Sequence, residues 1–161
     1  AAHEFDVCRW LLDTEYRSIR VMASRQSRNS KFPEPLLIIV ETIAGQLIDI
    51  EIFINAVYGY DVRTELVCEN GTFDMTPPSH AVTRVQGTAS HGFAPDWRPR
   101  FADAYRIQMQ DWVRSIPKGT FSGASAWDGY VATAVAEAGL ASLASGTTAG
   151  ISLQAKPKLY A

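Results

Sequence analysis

The sequence predicts an α+β domain built on one mainly antiparallel open sheet with helices packed on one face. Three observations carry that expectation. Isoleucines recur at every second position over 48–54, helical stripes lie towards both ends of a strand-rich middle, and an Asn-Gly turn signal joins two of the strand segments. The 161 residues suit a single domain. With 47% apolar, 11% aromatic and 20% charged residues the chain can build a packed core, which excludes a disordered or collagen-like polymer.

The elements follow in order. Phe5, Cys8 and Leu12, with Val7 and Leu11, recur at spacings of three and four and predict a short helix that ends near Asp13-Thr14. Ile19, Val21 and Ala23 then alternate with Arg20, Met22 and Ser24, the period of a strand. Residues 25–35 are polar or basic with two prolines and read as a long loop. Residues 36–40 and 46–56 form a hairpin about Ala44-Gly45. In its second strand Ile48, Ile50, Ile52 and Ile54 share the core face, while Leu47, Asp49, Glu51, Phe53 and Asn55 share the other. That second face reads either as solvated sheet or as a contact with another subunit.

Residues 60–68 predict another strand of the sheet. Glu69-Asn70-Gly71 then marks a tight hairpin turn with two residues at positive φ. Residues 72–75 return, Pro77-Pro78 interrupts, and residues 81–85 add a short strand. Phe101, Ala104, Tyr105, Met109, Trp112, Val113 and Ile116 trace a helical stripe that Pro117 halts. A third helix, capped by Ser125, runs through an alanine-rich stretch to Gly146, where small side chains allow close packing on the sheet. Residues 151–153 are expected as a last edge strand.

Charge and cysteine usage narrow the function. Fifteen basic residues against seventeen acidic ones leave a net charge of −2, so no positive field exists for nucleic acid or an anionic membrane. Apolar runs such as residues 36–40 fall far short of the roughly 18 to 20 residues that span a bilayer, and no signal-peptide pattern opens the chain. The expectation is a soluble, cytoplasmic protein. Cys8 and Cys68 read as buried thiols, because a structural zinc site wants about four nitrogen or sulfur ligands at short spacing. The chain also opens on Ala1-Ala2-His3, with a helical pattern already under way and no initiator Met, which reads as a piece of a longer protein.

No glycine-rich nucleotide loop, nucleophile elbow or Cys-x-x-Cys occurs, so the chain has no evident seat for a pyrophosphate. His3 and Asp6 lie on one side of the first helix, where the positive end of the helix dipole favours a neutral imidazole able to accept a proton. On spacing alone the plainer reading, in which both satisfy nearby backbone groups, is the favoured one. Tyr58-Gly59-Tyr60-Asp61 reads as a bend flanked by phenols suited to a hydroxyl-rich ligand, or as an aromatic turn covering the sheet edge. Asp96-Trp97-Arg98-Pro99-Arg100-Phe101, with Tyr105 one turn later, reads as a helix start with surface arginines. His80 and His91 lie in polar loops and carry no assigned role.

Four groups of residues, in order and spacing, make a more specific pattern. They are His3-Glu4-Phe5-Asp6 with Trp10-Leu11-Leu12; Tyr58-Gly59-Tyr60-Asp61 with Glu65 and Glu69-Asn70-Gly71; Asp96-Trp97 with Arg100-Phe101 and Ala104-Tyr105; and Ala126-Trp127-Asp128-Gly129-Tyr130. Together they resemble, over nearly the whole chain, the C-terminal domain of the oxidoreductases related to glucose-fructose oxidoreductase, and within them the inositol 2-dehydrogenases. The resemblance implies that residues 1–161 are a substrate-binding and oligomerisation domain, commonly tetrameric, whose partner is an N-terminal Rossmann domain holding NAD. It implies that His3 is the catalytic histidine of a Lys, Asp and His set whose other two members lie outside this chain, and that Asp6, Tyr60 and Tyr105 bind a cyclic polyol substrate. Cys68 departs from the glycine expected before the Glu-x-Gly turn. Two alternatives accompany this reading: a dehydrogenase of another cyclic polyol or sugar, and a non-catalytic sugar-sensing or scaffold relative.

Overall fold

A computed structural model describes residues 1–25, 30–75 and 82–160. The interior of the 25–35 loop, the Pro77-Pro78 break, His80, and Ala81 at the head of the expected 81–85 strand lie outside the described residues. The chain divides into two compact units, one of residues 1–55 and 124–161 and one of residues 56–123.

The first unit holds the helix α1 (Ala2–Leu12), the strands β1 (Tyr16–Ala23), β2 (Leu36–Thr42) and β3 (Leu47–Ile52), and, from the far end of the chain, a helix of residues 126–145 and a two-residue strand. β1 pairs antiparallel with β2 and β2 with β3, with Ile19 opposite Val40, Val21 opposite Ile38, and Ile38 opposite Ile50. These side chains make the core with Phe5, Tyr16, Trp127, Val131 and Val135, as the period-two pattern requires. The opposite face sets Met22 beside Leu37, Leu37 beside Glu51, Ile39 beside Asp49 and Glu41 beside Leu47.

The isoleucine strand is shorter than its alternation suggests. Ile54, expected in the core, is 83% exposed. The buried Glu34 carboxylate accepts a hydrogen bond from the Ile54 backbone N–H at 3.2 Å and another from the Asn55 amide, which pulls the chain out of the ladder after Ile52. Asn55 first, then Ser30, holds the Glu34 carboxyl below its usual range.

The later helix, α3 (Ala126–Ser145), begins as its residues dictate. The Ser125 hydroxyl accepts the Asp128 N–H and the Asp128 carboxylate takes the Ser125 N–H at 2.6 Å, a reciprocal capping box. Gly146 closes the helix at φ 67. α3 lies so close to the sheet that a Cβ on Gly139 would stand 3.3 Å from Ile19 Cδ1 and 3.4 Å from Val21 Cγ2. Buried Ser142 accepts the Val21 N–H at 3.0 Å and donates to the Thr147 carbonyl at 2.6 Å. The edge strand pairs with β1 only at Ser18 and Ile19, so Ser142 satisfies a donor that the ladder has left free.

That edge strand is residues 149–150, two earlier than expected, and the Ile151 N–H still reaches the Arg17 carbonyl at 2.9 Å. The sheet therefore has four strands, entirely antiparallel, with residues 149–150, β1, β2 and β3 side by side.

The second unit contains β4 (Thr64–Cys68), β5 (Gly71–Met75), β6 (Thr83–Val85), β7 (Thr88–Ser90) and α2 (Arg98–Ser115), and with them the edge strand above becomes β8. β4–β5 and β6–β7 are separate two-stranded hairpins, so among the described residues the expected single sheet is a four-stranded sheet plus two ribbons. The 60–68 strand starts only at Thr64: Gly59 bends the backbone at φ 118, and the Asp61 carboxylate turns to Arg63 at 2.6 Å. The hairpin turns on Glu69-Asn70 rather than on Asn70-Gly71, so the predicted pair of left-handed residues does not form: Asn70 has no positive φ and Gly71 stands at φ 159. That geometry instead occurs at Gln86-Gly87, φ 50 and 77, between β6 and β7. Cys68, read as buried, is exposed, while Cys8 is half-buried and burial pushes its thiol up. On α2 the stripe of Tyr105, Met109, Trp112 and Val113 is exposed, as is Ile116 just beyond the helix end.

Candidate functional site

In the first unit the candidate residues ride on α1. Phe5 is buried and points into the core, its ring edge-on to Tyr16 at 6.5 Å, and the Tyr16 hydroxyl donates to the Phe5 carbonyl. Burial raises the Tyr16 phenol above its ordinary range, so it remains a neutral donor. Arg9, one turn on, donates to Glu15 through Nε at 2.8 Å and Nη2 at 2.6 Å, and pairs with Asp128 at the start of α3.

Burial opposes ionisation of Asp128, but the Ser125 hydroxyl and N–H and then the Arg9 guanidinium outweigh it and hold the carboxyl down at about 2. Asp128 is thus both cap and clamp. The clamp fixes α1 at its middle while His3 and Asp6 sit near its start, His3 exposed and Asp6 half-buried. Among the described residues neither side chain makes a hydrogen bond or ion pair. What α1 presents is an accessible imidazole and a carboxylate on one side of an immobilised helix, a base and an acceptor suited to an alcohol.

In the second unit Tyr60 and Tyr105 are held by aromatic neighbours. The Tyr60 N–H donates to the Ala94 carbonyl at 2.8 Å, and its ring stands edge-on to Phe101 at 6.3 Å. Gly59 is required there: a Cβ would lie 2.7 Å from Phe93 Cβ, and φ is 118. Tyr58 packs on Phe93 at 5.7 Å, so this turn rests on the 91–94 segment. Tyr105 contacts the Trp97 ring at 5.1 Å. Asp96 starts α2, accepting the Arg98 N–H at 2.8 Å and the Arg98 guanidinium at 3.1 Å.

The Arg9–Glu15–Asp128 network was not legible in the sequence as a clamp, although the Ser125-x-x-Asp128 spacing signalled its cap. The packing of Trp97 on Tyr105 was signalled only by the spacing of Trp97, Phe101 and Tyr105 at every fourth residue.

The chain's own residues do not fit a dinucleotide site. Among the described residues, α3 opens on a closed capping box and α2 on Asp96, so neither offers the glycine-framed amides that a pyrophosphate needs. No described helix is long and apolar enough to cross a membrane.

Residues 1–151 match the family described as "Oxidoreductase family, C-terminal alpha/beta domain". The chain is 48% identical over 162 residues to inositol 2-dehydrogenase 1 of Saccharopolyspora erythraea, covering 99% of this chain and 48% of that protein. It is 40% identical over 161 residues to the inositol 2-dehydrogenase of Agrobacterium fabrum, covering 98% and 48%. Among solved structures it resembles the myo-inositol dehydrogenase of Lactobacillus casei in complex with NAD(H) and myo-inositol, at a TM-score of 0.91 and 30% identity, covering 99% of this chain and 49% of that one. The chain spans about half the length of the curated relatives it matches.

Proposed function

The chain belongs to the oxidoreductase family related to glucose-fructose oxidoreductase and inositol dehydrogenase, and on that premise we propose that it is the substrate and assembly domain of an NAD-dependent inositol 2-dehydrogenase. The reaction is oxidation of a ring secondary alcohol of myo-inositol to the 2-keto inosose. The coenzyme supplies the hydride acceptor and is assigned to the Rossmann half of the protein.

His3 takes or relays the hydroxyl proton as the carbinol C–H bond breaks and the carbonyl forms, which is work for an accessible imidazole near neutral pH. Asp6 accepts hydrogen bonds from neighbouring ring hydroxyls, and the phenols of Tyr60 and Tyr105, which both donate and accept, select which hydroxyl reacts. One observation carries the reading: among the described residues His3 and Asp6 stand without competing hydrogen bonds on a helix clamped through Arg9, in a chain 48% identical to an inositol 2-dehydrogenase.

Assembly uses the face of the four-stranded sheet turned away from α3, where Leu37, Ile39 and Leu47 alternate with Glu51, Asp49 and Glu41. That face supports self-association, as a homotetramer, in the cytoplasm. This chain by itself is expected to bind no NAD and to turn over no substrate.

The test is a dehydrogenase assay of the complete protein with NAD against myo-inositol, scyllo-inositol and glucose. Preference for myo-inositol supports the proposal. Preference for another of the three moves the substrate within the polyol and sugar class, and no NAD reduction with any of them supports a non-catalytic sugar-sensing relative instead.

A further inference from the structure

The two candidate substrate phenols of the second unit are not independent loop residues. Tyr105 belongs to α2, and Tyr60, forty-five positions earlier, rests edge-on against Phe101 of the same helix, ring centroids 6.3 Å apart at 89°. Trp97 caps α2, and its backbone carbonyl accepts the Phe101 N–H at 3.0 Å, so the two rings are joined by one hydrogen-bonded turn. Trp97 and Tyr105 are eight residues apart, roughly 12 Å of helical rise, yet their rings lie 5.1 Å apart at 42°. A contact across two turns requires the indole to lie along the helix. A guanidinium stands over each platform ring, Arg98 over Trp97 at 5.8 Å and Arg100 over Phe101 at 5.2 Å. Asp96 in turn holds Arg98.

We infer that Trp97 and Phe101 are positioning residues, each holding one phenol, so that the first two turns of α2 fix Tyr60 and Tyr105 as a rigid pair that grips a cyclic polyol. The inference rests on the reading of Tyr60 and Tyr105 as substrate residues and adds what places them. The physical reason is that a phenol discriminates among ring hydroxyls only where its oxygen is held in place, and a half-exposed tyrosine has two free torsions unless a neighbouring ring removes them. Tyr105 is 53% exposed, so Trp97 is the neighbour that restrains it.

The experiment is a double-mutant cycle on the complete enzyme, reading KM for myo-inositol, KM for NAD and kcat. Phe101→Leu and Trp97→Leu are each expected to raise the polyol KM about three- to tenfold, the size of one aromatic pair, with the NAD KM unchanged. Phe101→Tyr and Trp97→Phe, which keep a ring, are expected to restore most of it. Tyr60→Phe keeps the ring and loses the hydroxyl; in that background Phe101→Leu should add nothing further, because there is no longer a hydroxyl to misplace.

An equal loss in both backgrounds, or no rescue by the ring-retaining variants, overturns the positioning role. A normal KM in both Tyr60→Phe and Tyr105→Phe overturns the substrate reading itself, and a raised KM there with a normal KM in both Leu variants overturns positioning alone. Should Phe101→Leu fail to fold, the cycle of Trp97→Leu with Tyr105→Phe, both half-exposed, decides the same question.

Discussion

Arg9 on α1 holds Asp128 at the first turn of α3, while its remaining nitrogens grip Glu15 ahead of β1. One side chain thereby ties α1 and the turn that follows it to the start of α3, 119 positions away, and it does so one turn beyond the His3 and Asp6 pair. The ion pair is three-quarters or more buried at both ends, where screening by solvent is weak and losing one partner leaves an uncompensated charge.

Acid should loosen this clamp in a defined window. Asp128 is held at about 2 against an ordinary value of 3.8, so its contribution is fully present above about pH 4 and is lost as pH falls towards 2. The shift corresponds to about 2 kcal/mol. Asp128→Asn should therefore lower the stability of the complete protein at pH 7 by about that amount, with the gap closing by pH 2. Urea unfolding at pH 7, 4 and 2.5 measures it, and a gap independent of pH would refute the assignment.

Gly139 tests how closely α3 approaches the sheet. Ala would gain roughly 1 kcal/mol of helix propensity, while its Cβ presses the end of Ile19 at Cδ1, 3.3 Å away, and a methyl of the stiffer Val21 at Cγ2, 3.4 Å away. The two effects nearly cancel, so Gly139→Ala should fall within about 1 kcal/mol of the parent, whereas Gly139→Leu should cost about 2 to 3 kcal/mol by overpacking. Thermal unfolding separates the two, and a neutral Leu variant would contradict the close approach.

His3→Ala in the complete enzyme should reduce turnover about a hundredfold or more while leaving NAD affinity unchanged. Steady-state kinetics together with a fluorescence titration of NADH reads both quantities. Wild-type turnover would remove His3 from the mechanism.

On the open sheet face Leu47 is 74% exposed beside Glu41, and Ile39 stands opposite Asp49. Leu47→Asp with Ile39→Asp places like charges across two strand pairs and should dissociate the assembled protein into smaller species that keep their secondary structure. Sedimentation velocity distinguishes the states, and an unchanged oligomer would place the contact elsewhere.

Elements governed by local rules were legible from residues alone. The α3 boundaries follow from Ser125 and Gly146, the β2–β3 register follows from alternating isoleucines, and α1 follows from its three- and four-residue spacing. In the departures a side chain won a competition for the backbone or its neighbour, from a distance at Glu34 and Ser142 and locally at Asp61. Glu34 took the Ile54 N–H and ended β3 early, Asp61 turned to Arg63 where a strand was expected, and Ser142 satisfied Val21 beyond the end of β8.

The candidate site divides in the same way. Sequence order and spacing sufficed to name the family, because the four-part pattern is specific, and the resemblance in turn made His3, Asp6, Tyr60 and Tyr105 the candidates. Only the tertiary structure decided what holds them: the Arg9–Asp128 clamp spans 119 positions and the Tyr60–Phe101 contact spans 41. No periodicity encodes such pairs, since a side chain meets a distant partner only after the backbone has brought both to one place.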